Sequence, residues 1–322
     1  MTVPWRGVFP AMTTQFRRDE SLDLDATGRH IETMIDSGAE GVVMLGSLGE
    51  NAALAPEEKR QVVAMALEVA ARRVPVIATV VETSTAAARQ YARDMERLGV
   101  DGLMLLPAMI YRADAREVML HYRDVARATQ LPIICYNNPL AYNVDITPAM
   151  FAGLAEVPNF VAIKESSGDV RRITDLRNTV GDRYVLFAGV DDLVLESAAL
   201  GIDGWIAGIG LAIPAENQRL WDLAAAGEIG AARALYRWFT PLAHLDTHVK
   251  FVQYIKLAIQ VAGLGSEWVR APRRPLIGEE RRRILKVIET GLANRPTLPP
   301  APGRGTRAQR GRRPRRREAT RG

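Results

Sequence analysis

Two hydrophobic patterns alternate along the chain. Short β-rich apolar runs recur at 8–16 (VFPAMTTQF), 41–47 (GVVMLGS), 75–81 (PVIATVV), 102–107 (GLMLLP), 132–138 (PIICYNN), 160–166 (FVAIKES), 184–190 (YVLFAGV) and 204–210 (GWIAGIG). Most are apolar throughout rather than alternating, the pattern of strands covered on both faces. Between them lie amphipathic stretches such as 56–72 and 84–98, whose apolar residues return at helical spacing. Pro56-Glu57-Glu58 reads as a helix start, with proline and acidic residues in the first turn. Strand–helix alternation predicts a parallel sheet, and eight units predict an α/β fold closed into a (β/α)8 TIM barrel. The competing architecture is an open doubly wound sheet. Its dinucleotide-binding form has no support, because no GxGxxG turn follows the first strand. Further helical stretches at 214–226, 228–241, 246–263 and 278–293 exceed what the last barrel unit needs. They predict an appended C-terminal helical bundle that assists oligomer contacts.

Composition changes the picture at the C-terminus. The chain carries a formal charge of +5, but residues 295–322 hold ten arginines and one glutamate, so the body before them is mildly acidic. This segment is rich in Pro, Gly and Arg and nearly free of large apolar residues. It cannot bury enough surface to offset the entropy of ordering, and a disordered tail is expected. The expected division is therefore 1–294, the barrel with its C-terminal helices, and 295–322, a basic tail. No apolar run is long enough for a membrane span, and MTVPWRGVFP has no charged-then-apolar signal pattern. A soluble cytoplasmic protein is expected. One cysteine, Cys135, permits no internal disulfide and no thiolate metal site.

The chemistry begins with a lysine in an unexpected place. The chain has five lysines. Lys59, Lys250, Lys256 and Lys286 fall in helical or helix-flanking segments, where a solvated ammonium is ordinary. Lys164 sits near the carboxyl end of an apolar strand, in FVAIKESS. Burial disfavours a charged amine, and a neutral amine can attack a carbonyl. Barrel active sites are built at the carboxyl ends of the strands. The bland alternative is a structural ion pair with Glu165 or Glu50. Glu165 is adjacent on the strand and should point to the opposite face, which weakens that alternative.

Tyr136 ends the preceding run, in ICYNNP, where its phenol could exchange protons with a carbinolamine oxygen. A core tyrosine with a satisfied hydroxyl fits equally well. GSLGEN, residues 46–51, follows the second strand, and its turn can aim backbone N–H groups at a carboxylate.

Taken in order, GSLGE after the second strand, YNNP after the fifth and AIKES on the sixth resemble the dihydrodipicolinate synthase / N-acetylneuraminate lyase family over roughly residues 5–293. The resemblance implies that Lys164 is the Schiff-base lysine and that Tyr136 relays protons. It also implies that Ser47, with the backbone amides of Ser47 and Leu48, holds the substrate carboxylate, and that Gly189 and Ile206 line the pocket. It implies no metal, no organic cofactor and a homotetramer built from tight dimers. The small-molecule partner would be a 2-oxo acid or a cyclic imine.

Departures from the pattern point to a narrower branch. Leu48 stands where dihydrodipicolinate-forming members carry a second threonine, and Met109, with Tyr111 two residues on, where they carry a tyrosine that crosses the dimer interface. Ala141 stands where they carry an arginine for the second substrate's carboxylate. GVFPAMTTQF, DGLMLLPAMIY, YNNPLAYNVDITPAMF, AIKESSGDVRRITDL and LFAGVDDLVLE resemble 1-pyrroline-4-hydroxy-2-carboxylate deaminases of hydroxyproline catabolism. That resemblance implies ring opening by Lys164, loss of the 4-hydroxyl, and release of ammonia and 2,5-dioxopentanoate. An aldolase or dehydratase of a sugar-derived 2-oxo acid is the alternative within the class. A barrel that has lost catalysis and binds ligand or nucleic acid is the alternative outside it, and retention of Lys164 and Tyr136 argues against it.

The remaining motifs are weaker. His244 and His248 would share one helix face, and without further ligands they read as a solvated or interface pair. Cys135 reads as an apolar filler pointing away from Tyr136, and Asp191-Asp192 as a helix cap. The Arg-rich tail could bind nucleic acid or an anionic membrane electrostatically, but no aromatic residue interleaves its arginines, and a solvated, dispensable extension fits at least as well.

Overall fold

A computed structural model describes residues 1–108 and 111–302. Met109 and the tail from residue 303 onward therefore lie outside the described residues.

Eight parallel strands run β1 (Gly7–Val8), β2 (Val42–Met44), β3 (Val76–Val80), β4 (Gly102–Leu105), β5 (Ile133–Asn137), β6 (Phe160–Glu165), β7 (Val185–Ala188) and β8 (Gly204–Trp205). Each pairs with its sequence neighbour, and β1 pairs with β8. The remaining seam, between the first and second strands, is closed by a parallel bridge from Ala11 to Val43. Val43 N donates to Pro10 O and Met12 N to Val43 O, both at 2.9 Å. The (β/α)8 barrel is thus complete. The strands are shorter than the apolar runs that predict them, because each run continues past the ladder into the buried loop above it. Residues 9–16 illustrate this: all are buried, yet only Gly7–Val8 form the ladder with β8.

The barrel helices are α1 (Leu24–Asp36), α2 (Pro56–Ala70), α3 (Thr85–Leu98), α4 (Ala115–Ala126), the short α5 (Pro139–Tyr142) with α6 (Pro148–Leu154), α7 (Arg171–Val180), α8 (Val194–Ala199) and α9 (Pro214–Ala226). Their starts follow local chemistry. Asp23, Ser84, Asp114 and Thr147 each accept a hydrogen bond from a first-turn amide. Proline opens α2, as its sequence predicts, and Glu58 reaches back to the Ala55 amide at 2.9 Å.

Three helices follow the barrel: α10 (Ile229–Ala243), α11 (Phe251–Val261) and α12 (Gly278–Ala293). The predicted helix over 246–263 starts later than expected. His244–Thr247 form a 3-10 turn and His248 is extended, so α11 begins only at Phe251. Beyond α12, Arg295 pairs with Glu216 at 3.4 Å and Arg219 donates to Pro299 O, so contacts with α9 extend to residue 299. No helix among the described residues is long and apolar enough to cross a membrane.

The appended helices are tied to the barrel mouth by a buried ion pair. Lys256, on α11, lies 2.6 Å from Glu50 in the loop after β2, and both side chains are fully buried. The Lys256 amine also donates to Trp268 O at 2.7 Å, and Glu50 accepts from the Arg270 amide at 3.1 Å. A buried pair is tolerable only when its remaining hydrogen-bonding capacity is filled in this way.

Candidate active site

Lys164 and Tyr136 stand side by side because β5 and β6 are in register there, with Tyr136 opposite Lys164. The amine lies 4.2 Å from the centre of the phenol ring. Both residues are buried, at 6% and 7% exposure, close to the carboxyl ends of their strands. No carboxylate among the described residues pairs with the Lys164 amine. Both candidates for a structural ion pair are engaged elsewhere. Glu165 points away, accepting from Ser167 N at 2.6 Å and Asn137 Nδ2 at 3.1 Å, and Glu50 is held by Lys256.

The expectation that the other lysines are ordinary solvated cations is corrected by two of them. Lys256 is fully buried, and burial pulls its ammonium down to about 8 against the opposing charge of Glu50. Lys59 is 6% exposed and paired with Glu82 at 2.6 Å. Sequence cannot reveal this, because an amphipathic helix shows which residues face a partner only once the partner is placed. What distinguishes Lys164 is therefore that no carboxylate among the described residues lies within ion-pair distance of it, although Asp191 and Asp246 are within electrostatic reach.

Gly189 follows β7 directly beside the lysine. A Cβ there would lie 2.6 Å from Lys164 Cε and 2.0 Å from Ser166 Oγ, so the lysine stem occupies the space that a side chain would fill. Ile206, buried at the end of β8, donates its amide to Ala188 O at 2.9 Å and lies on the strand adjoining Gly189.

The loop from Gly46 to Asn51 is shaped by backbone constraints. Gly49 comes so close to its neighbours that a Cβ would lie 2.9 Å from Leu45 Cα, and Leu45 and Glu50 adopt left-handed conformations. Thr14 Oγ1 holds the loop from below by donating to Gly49 O at 2.7 Å. The amides of Ser47 and Leu48 donate to no group among the described residues, which leaves them free for an anion. Ser47 Oγ lies 2.7 Å from the Tyr142 hydroxyl.

Tyr142 is the residue that sequence reasoning missed. Asn138 caps α5 through the Ala141 amide at 3.0 Å and donates to the Tyr136 hydroxyl at 3.2 Å. The single turn of α5 then brings Tyr142 back over the mouth, its ring perpendicular to that of Tyr136 at 5.5 Å. Burial raises the Tyr142 phenol well above its usual range, and the neighbouring Tyr136 raises it further. The only available signal was a tyrosine three residues after the YNNP proline. Ser47, Tyr142, Tyr136 and Lys164 thus form one cluster, through a hydrogen bond, an edge-on ring contact and an amine–ring contact in turn.

Several weaker expectations are revised. Asp191 is no simple cap: it is fully buried and accepts from Trp205 Nε1 at 2.9 Å, Gly208 N at 3.0 Å and Ile209 N at 2.6 Å, stapling the loop after β7 to that after β8. Burial raises its carboxyl to about 6, against these donors and the Lys164 charge. His244 and His248 do not share a helix face. His244 bonds Asp192 at 2.8 Å, while His248 stacks on Tyr254 at 4.8 Å. Cys135 is fully buried, and burial pushes its thiol up.

Residues 4–290 match the profile of the Dihydrodipicolinate synthetase family. The chain belongs to this family. A 4-hydroxy-tetrahydrodipicolinate synthase of Moorella thermoacetica is 33% identical over 289 residues, covering 89% of this chain and 99% of the relative. One from Methanothrix thermoacetophila is 30% identical and covers 88% and 96%. Among solved structures, a chloride-inhibited dihydrodipicolinate synthase of Acinetobacter baumannii in complex with pyruvate has a TM-score of 0.85 at 27% identity, covering 89% and 98% of the two chains. A dihydrodipicolinate synthase of Bacillus anthracis has the same TM-score at 29% identity, covering 90% and 99%. Membership places the chain among the lysine-dependent Schiff-base lyases and synthases.

These relatives overturn the reading as a hydroxyproline-catabolism deaminase acting on a cyclic imine. The relatives named above are synthases, named for a bond-forming reaction. The segments that carried the finer resemblance surround Lys164, Tyr136 and the strand ends. They specify the Schiff-base framework, which does not by itself discriminate what reacts with it.

Proposed function

We propose that the chain is a class I aldolase that joins a 2-oxo acid of the pyruvate type to an aldehyde through a Schiff base on Lys164. The observation that carries this is the Lys164 amine, buried in the barrel mouth without an ion-pair partner among the described residues and seated 4.2 Å from the centre of the Tyr136 ring. The relatives named above, one of them a complex with pyruvate, support the choice of first substrate.

In this reading the substrate carboxylate rests on the free amides of Ser47 and Leu48, with the Ser47 hydroxyl alongside. Lys164 Nζ adds to C2, the carbonyl oxygen leaves as water, and a protonated imine remains. Loss of a C3 proton gives an enamine, with the imine nitrogen as electron sink. The enamine C3 attacks the aldehyde carbon, whose oxygen takes up a proton. Water then cleaves the imine, releasing a 4-hydroxy-2-oxo acid and the free lysine. Tyr136, linked through Tyr142 to Ser47, exchanges protons with the C2 oxygen and the new hydroxyl. Gly189 keeps the lysine channel clear and Ile206 closes the pocket wall. No organic cofactor or metal takes part in this scheme. A cytoplasmic homotetramer, a dimer of dimers, is the assembly the family resemblance implies.

The test is borohydride reduction in the presence of pyruvate, followed by peptide mass mapping. An N6-(1-carboxyethyl) adduct on Lys164, the reduced pyruvate imine, is expected. Undiminished aldehyde consumption by Lys164→Ala would overturn the proposal, and sedimentation velocity reads the assembly directly.

A further inference from the structure

The site contains a carboxylate that neither the catalytic scheme nor the barrel itself accounts for. Asp246 belongs to the 3-10 turn His244–Thr247, between α10 and α11, and so comes from the appended helices. The loop after β8 brings it to the barrel mouth. A Cβ on Gly208 would lie 2.6 Å from Asp246 Oδ1 and 3.3 Å from Asp191 Oδ2, so the two carboxylates flank one glycine. The side chain is close enough to the Lys164 charge for the ammonium to favour its ionised form, and close enough to Tyr142 to raise that phenol. Asp246 is therefore within electrostatic reach of both the amine and the phenol that bonds Ser47, against the loops that follow β7 and β8.

The two aspartates are not equivalent. Both oxygens of Asp191 are filled by Trp205, Gly208 and Ile209. Asp246 receives no side-chain donor among the described residues; the Asp191 amide is the one donor that steadies it. Burial and the neighbouring Asp191 charge raise its carboxyl well above the usual range, with Asp192 adding to the effect. A half-buried carboxylate with unfilled lone pairs, within reach of the reactive amine, can take a hydrogen bond from a donor on a bound molecule. Position 141, in α5, is alanine, which can offer no cation to a substrate carboxylate.

We propose that Asp246 is a specificity-determining residue that accepts a hydrogen bond from a donor group, hydroxyl or ammonium, on the aldehyde substrate. This deepens the aldolase reading and rests on it. It follows that aldehyde choice is set by the C-terminal helices, while the Schiff-base step is set by β5 and β6.

The experiment measures steady-state kinetics with pyruvate and three aldehydes. Glyceraldehyde offers hydroxyl donors, aspartate 4-semialdehyde offers an ammonium, and propanal offers neither. The wild-type enzyme is expected to prefer whichever donor aldehyde fits over propanal. Asp246→Leu is expected to raise KM for that aldehyde by roughly ten-fold or more, the scale of one lost hydrogen bond to a charged group, and for propanal by less than about two-fold. Asp246→Asn, which keeps an acceptor oxygen, should restore much of the loss for glyceraldehyde and little for the ammonium substrate. Comparable losses on propanal, unchanged KM values, or a wild-type preference for propanal would each overturn the proposal. Borohydride trapping of pyruvate by the wild-type enzyme separates the two readings. Without a Lys164 adduct the aldolase reading itself fails; with an adduct but no donor discrimination, only the role of Asp246 does.

Discussion

Gly189 and Lys164 occupy one space: a Cβ at 189 would meet the lysine stem at 2.6 Å from Cε and 2.8 Å from Cγ. The glycine is therefore part of the channel that aims the amine. Gly189→Ala should leave the fold largely intact while shifting the nitrogen. Displacement of about 1 Å costs on the order of 100-fold in rate. Borohydride trapping rate, read beside the circular-dichroism melt, checks this. Normal trapping in the alanine variant would show that the lysine approaches by another path.

Tyr142 should matter through its hydroxyl rather than its ring. Tyr142→Phe keeps the perpendicular contact with Tyr136 and removes the 2.7 Å bond to Ser47. A drop in kcat on the order of 100-fold is expected from a broken proton path. Ser47→Ala should act on the same path, so the double variant should be little worse than either single one. Additive losses would mean that the two hydroxyls work separately.

Removing one member of the buried pair Lys256–Glu50 leaves an uncompensated charge in the interior. Lys256→Met should cost about 3–5 kcal/mol in urea unfolding. Adding Glu50→Gln should recover part of that. Because Glu50 sits in the loop whose Ser47 and Leu48 amides are proposed to hold the substrate carboxylate, KM for pyruvate should rise in the single variant. A stable variant with unchanged KM would show that the pair does not position the loop.

His30 predicts an acid-sensitive stability. It is 1% exposed, with Nε2 on Leu211 O at 2.9 Å, and burial lowers its pKa from 6.5 to about 4. The unfolded chain then binds the proton more readily between those values, so stability is lost as pH falls from 6.5 toward 4. The linked loss is about 3 kcal/mol at most. His30→Leu should flatten this part of the pH–stability curve relative to the wild type in chemical denaturation. An unchanged slope would show that the imidazole is not the titrating group.

By itself the sequence determined the barrel, because eight doubly covered strands leave a period and a composition that survive without any knowledge of partners. It also singled out Lys164, since a charged group at the carboxyl end of an apolar strand stands out against its own neighbours, whereas Tyr136 gained its role only from the family resemblance. Only the tertiary structure showed that Lys256 is as buried as Lys164 but neutralised, that Tyr142 folds back onto Ser47, and that Asp246 enters the mouth from outside the barrel. The reason is physical. Strand periodicity is a local property, whereas burial on a helix, the reach of a one-turn loop and the meeting of residues far apart in the chain depend on what packs against them.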